Sequence, residues 1–80
     1  MSFEYPLDYN TYSTEEIVGI IDFLSYLEEH SKHYDYSIFK QKYDKYRAIL
    51  NSKIEEKRID QEFEKLTGIS IYHTARELGL

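Results

Sequence analysis

Two histidines three residues apart, His30 and His33, are the most metal-like pair in this chain. Imidazoles at i and i+3 can share an ion when one helix carries both. Asp35 follows closely, but Lys32 sets a positive charge between the rings and no third donor is signalled. They remain weak metal candidates, and two solvated imidazoles near a helix C-terminus is the plainer reading. His73 has no serine, cysteine or paired acid at a telling spacing. No nucleophile-elbow sequence occurs, and three isolated glycines build no phosphate-cradling loop. The adjacent acids Glu15-Glu16, Glu28-Glu29 and Glu55-Glu56 point about 100° apart on a helix and read as caps and solvated faces. No catalytic residue, cofactor or metal is therefore assigned, and the chain is read as a non-enzyme.

Recognition chemistry is better represented. Lys40, Lys42, Lys45 and Arg47 interleave with Tyr43 and Tyr46, a mixture able to neutralise phosphates and stack bases. Helical angles argue against that use. Phe39, Tyr43, Tyr46 and Leu50 share one inner face, with Lys40 and Arg47 on one rim and Lys42 and Lys45 on the other, so the bases snorkel from a core helix. Nine tyrosines without a tryptophan suit half-buried rims or protein interfaces. Tyr43 and Tyr46 read as core. Tyr9, Tyr12, Tyr26, Tyr34 and Tyr36 read as exposed, Tyr26 because it lies nearly opposite the stripe of its helix.

Charge is unevenly spread. Residues 1–31 carry seven acids and no lysine or arginine, residues 32–58 a net +4 and residues 59–80 a net −2, giving −5 over the 80 residues. Acidic and basic helices lying side by side would account for this. The sharper reading is an acidic surface, Asp8, Glu15, Asp22, Tyr26 and Glu29, facing a basic partner. The net negative balance counts against nucleic acid, whose binding rests largely on phosphate neutralisation.

The elements that must position these residues are legible. Eighty residues make one domain whose small core has to be well packed. Without cysteine, neither disulfides nor thiolate-metal sites supplement it, which suits a reducing compartment. No basic stretch followed by an apolar run opens the chain and no apolar run could span a bilayer, so a cytoplasmic protein with no membrane contact is expected. Residues 1–12 read as an extended arm, with Phe3, Tyr5 and Leu7 alternating across the helices. Ser13-Thr14-Glu15-Glu16 is a capping box opening a helix over 14–30, whose stripe is Ile17, Ile20, Ile21, Leu24 and Leu27, widened by Phe23. A second helix spans 36–50 with Asp35 as N-cap, and Ile38 and Ile49 form a line beside its inner face. Ser52-Lys53-Ile54-Glu55 opens a third over 53–67, with Ile59, Phe63 and Leu66 inward and Gly68 as left-handed stop. A short fourth fills 71–78, with Ser70 as N-cap, Ile71, Ala75 and Leu78 inward, and Gly79 as terminator.

Tyr5-Pro6-Leu7-Asp8, the Ser13 box, Ser52-Lys53 with Glu55-Glu56-Lys57, Glu62-Phe63-Glu64, and Gly68 with Ser70 and Tyr72 form an ordered set over nearly the whole chain. In it the sequence resembles the YktA-like uncharacterised protein family (UPF zero-two-two-three) of Gram-positive bacteria. That family's pattern has a tryptophan before the first box and Val-Pro before Ser-Lys, where this chain has Tyr12 and Leu50-Asn51. The resemblance implies a small all-helical cytoplasmic protein and brings no activity, cofactor or site residues. The expectation is all-α: three main helices in a compact array, a short C-terminal helix, and the N-terminal arm packed across them. The leading function is a non-enzymatic protein-binding or adaptor module, with an unidentified protein or a second copy as partner. The alternative is a nucleic-acid-associated regulator using Lys40, Lys42, Lys45 and Arg47. Third is a metal-binding or hydrolase-like protein around His30 and His33.

Overall fold

A computed structural model describes residues 10–80. The expected arm lies outside the described residues except for its last three. Four helices follow in order: α1 (Thr14–Glu29), α2 (Tyr36–Leu50), α3 (Lys53–Thr67) and α4 (Ile71–Glu77). No strand occurs among the described residues. The fold is all-α, and none of these helices is long and apolar enough to cross a membrane.

Local chemistry sets the helix ends where the sequence places them. Ser13 Oγ accepts from Glu16 N–H at 3.2 Å, while Glu16 Oε1 accepts from Ser13 N–H at 2.9 Å, closing the capping box. Asp35, Ser52 and Ser70 cap α2, α3 and α4, each side chain accepting from the N–H three residues on. Gly68, at φ +80°, stops α3, and Asn51, at φ +48°, stops α2. Asparagine tolerates this left-handed conformation better than other residues with a Cβ, which lets α2 and α3 meet across two residues. Helix α1 ends at Glu29 with His30 as its C-cap, and α4 at Glu77 with Leu78 as its C-cap, each one residue short of expectation.

The core joins Ile20, Phe23, Leu24 and Leu27 of α1 to Phe39, Tyr46 and Leu50 of α2, Ile59 and Phe63 of α3, and Ile71 and Ala75 of α4. Helix α1 buries two stripes. Ile20, Leu24 and Leu27 form the expected one. Gly19, Phe23 and Tyr26, at i, i+4 and i+7, form a second that meets α2. Gly19 belongs there because a Cβ would stand 2.7 Å from Ile49 Cδ1. Phe23 packs edge-on against Phe39 at 5.4 Å between centroids and tilted against Tyr46 at 4.8 Å.

Two expected inner positions differ. Leu66 is 52% exposed. The later turns of α3 turn inward along Asp60, Phe63 and Thr67, which are all buried or half-buried, and Leu66 sits about 100° from Thr67. Ile38, in the first turn of α2, is also exposed, whereas Ile49 packs on the core as expected.

Candidate functional site

The residues offered for protein contact are placed differently from one another. Asp8 lies outside the described residues. Glu15, Asp22 and Glu29 are exposed and share one outward face of α1 with Val18 and Ser25, at i, i+3, i+7, i+10 and i+14. Val18 is 60% exposed in the middle of this acidic line.

Tyr26 is not on that surface. It is 6% exposed, because residues 31–35 fold back over the side of α1 that the main stripe leaves uncovered. Its ring meets those of His30, Tyr34 and Phe39, and its Oη accepts from Asp35 N–H at 3.0 Å. One tyrosine thus holds the start of α2 against α1. Of the other tyrosines expected to be exposed, Tyr36 is so. Tyr12 and Tyr34 are half-buried against the core, Tyr34 donating its hydroxyl to Leu27 O at 2.9 Å. Tyr9 lies outside the described residues.

The α1–α2 seam has a shallow groove at each end. One, of about 430 Å³, is bordered by Glu15, Glu16, Val18, Lys45 and Ile49. The other, of about 470 Å³, has Tyr26 as its floor and Asp22, Glu29, His30, His33 and Lys42 around it. Between them Lys42 Nζ reaches Asp22 Oδ2 at 2.6 Å. The groove therefore gathers the histidine pair and part of the acidic line in one place, which their separation along the chain does not announce. The His30 ring stacks on Tyr26 at 4.7 Å between centroids. Among the described residues no group of three or more histidines, cysteines and acids is arranged to hold a metal ion.

The bases of α2 are largely engaged. Lys40 pairs with Asp44 at 2.7 Å, Lys42 with Asp22, and Arg47 with Glu56 of α3 at 3.5 Å. Arg47 also lies over the Tyr43 ring, 5.5 Å from its centroid. Lys45 lies against the α1 backbone at Gly19. Acidic and basic helices do lie side by side, as the charge distribution suggested.

Sequence reasoning missed a larger cleft, of about 590 Å³, where α2, α3 and α4 converge. Tyr46 lines it and is 1% exposed, and its buried Oη has no hydrogen-bond partner among the described residues. Burial pushes this phenol well above the ordinary tyrosine range, and the nearby carboxylates of Asp60 and Glu56 push the same way. Asp60 Oδ1 accepts from Ile71 N–H at 2.8 Å, which pins α4 beside the cleft. The assignment of Tyr46 to the core was legible; a lone hydroxyl at the end of a core ring carries no spacing signature.

A model described as Uncharacterised protein family (UPF0223) matches residues 2–79 of the chain. The chain belongs to the UPF0223 family. Its UPF0223 relatives include a protein from Oceanobacillus iheyensis, 36% identical over 78 residues, covering 96% of this chain and 88% of the relative. Another, from Bacillus mycoides, is 38% identical over 78 residues, covering 92% of this chain and 83% of the relative. A third, from Streptococcus mutans, is 34% identical over 76 residues, covering 94% and 82%. No solved structure matches. The family is uncharacterised, so membership establishes kinship across Gram-positive genera and assigns no activity to any residue described above.

Proposed function

We propose that this UPF0223 protein is a non-enzymatic module that binds a basic, amphipathic segment of a partner protein along the outer face of α1. The observation that carries the reading is the line Glu15, Val18, Asp22, Ser25 and Glu29, which combines three exposed acids with an exposed valine on a helix that has no base. A partner helix with one apolar side chain opposite Val18 and lysines or arginines on either side would match it in shape and charge. Asp22 is already held by Lys42, so Glu15 and Glu29 are the acids available to a partner. Tyr26 supports the groove floor rather than contacting the partner.

The nucleic-acid alternative is less well supported, because Lys40, Lys42 and Arg47 are each paired with an acid. The test is affinity capture from the native lysate with the wild-type chain and with Glu15→Lys/Glu29→Lys, followed by direct binding to each recovered protein. A partner lost on reversal, and whose basic segment shifts α1 amide resonances, supports the reading. Identical recovery by both forms, or nucleic acid as the sole species recovered, removes it.

A further inference from the structure

The cleft between α2, α3 and α4 lies away from the acidic line and plays no part in the function proposed above. We infer that it binds a small organic anion, with the anionic group at the Lys53–Lys57 end and Tyr46 Oη donating to the ligand from the floor.

Three observations lead there. The first is size: about 590 Å³ is within the range of small-molecule sites and is larger than either groove on the α1–α2 seam. The second is the hydroxyl. A buried phenol with no partner is a costly group to keep, and such groups usually find one. Tyr46 lines the cleft with its hydroxyl sealed beneath the surface, so a ligand acceptor completes it once the side chains of the lining part.

The third is charge. Glu56 is engaged by Arg47 and Asp60 by the α4 backbone, while Lys53 and Lys57 line the cleft with no ion pair among the described residues. Four residues apart on α3, the two lysines present their ammonium groups on one wall. Glu64, the remaining acidic side chain of the lining, lies about 10 Å further along the helix axis from Lys57, so the positive end is distinct. Tyr43 and Tyr72 supply aromatic surface for the body of the ligand, and their rings already carry Arg47 and Arg76. Phosphate esters and carboxylates both meet these requirements.

The full chain is titrated with phenyl phosphate, benzoate and uncharged benzyl alcohol, and amide resonances are followed by NMR. Saturable shifts centred on residues 53–57 and 70–73 are expected from the charged probes, with benzyl alcohol weaker by about tenfold or more. Lys53→Gln/Lys57→Gln should weaken charged-probe binding about tenfold, and Tyr46→Phe about fivefold, in proteins that remain folded by circular dichroism. Glu29→Lys, on the α1 face, should bind the probes as wild type does, which separates this site from the partner surface. The relative affinities of phenyl phosphate and benzoate distinguish the two ligand sources. The inference is overturned if neither charged probe saturates by about 10 mM, if benzyl alcohol binds as well as they do, or if the lysine or tyrosine substitutions leave affinity unchanged.

Discussion

Replacing Tyr46 with phenylalanine should make the ligand-free protein more stable. The tyrosine is 1% exposed and its ring packs 4.8 Å from that of Phe23, a contact that phenylalanine retains. What it loses is a buried hydroxyl without a partner among the described residues. Leaving such a group dry costs about 1–3 kcal/mol, against which the lost dispersion contacts of one oxygen are small. The expected gain is about 1 kcal/mol, or about 4–8 °C in Tm for a domain of this size. Urea unfolding followed by far-ultraviolet circular dichroism measures it directly. A higher midpoint at unchanged slope is the expected result, because the same surface is exposed on unfolding. A midpoint lowered by more than about 0.5 kcal/mol equivalent would refute the reasoning, since it would mean the hydroxyl makes a stabilising bond in the free protein. Paired with weaker anion binding, a stabilised variant would show a group held at a cost to stability for the sake of a ligand.

Further outcomes follow from other elements. Gly68→Ala should cost about 1 kcal/mol by urea unfolding, because a Cβ there meets nothing within 4 Å and only the φ of +80° opposes it. Asp35→Ala should cost about 1 kcal/mol through loss of the α2 cap alone; an unchanged midpoint would show that Tyr26, bonded to the backbone of Asp35, suffices to start the helix. Asp22→Asn should cost under about 1 kcal/mol, and less at high salt, because the Asp22 side chain paired with Lys42 is half-exposed. Stability should fall above the ordinary tyrosine pKa of 10.0, since burial raises the phenols of Tyr34, Tyr43 and Tyr46 in the folded state. Folded tyrosines then hold protons that unfolded ones release, so their contribution is complete below that pH and is lost as pH rises. A midpoint unchanged from neutral pH to about pH 11 would contradict this.

Much of the fold was legible because its determinants are local. A serine or aspartate accepting from the N–H three residues on needs no distant partner, and the four caps at Ser13, Asp35, Ser52 and Ser70 mark the four helix starts. Periodicity located the main stripe of α1 for the same reason. It went astray at Tyr26, where the uncovered side of α1 is closed by residues 31–35, and at Leu66, where the approach of α4 sets which side of α3 is inner. Both depend on how the chain returns in space. The candidate surfaces divide in the same way: Glu15 and Glu29 were identifiable as exposed acids, but the use of Lys42 to hold Asp22 required two helices to be laid together.

The sequence by itself determined an all-helical chain, its helix starts, most of its core and its family, because capping and amphipathic spacing act within a few residues. Only the tertiary structure decided that Tyr26 is a bracket, that most bases of α2 are neutralised, and that Tyr46 lines a cleft beside two lysines unpaired among the described residues. Those facts arise from side chains 20 residues apart or on three different helices coming within a few ångströms of each other, and Coulomb attraction and desolvation act on that separation in space.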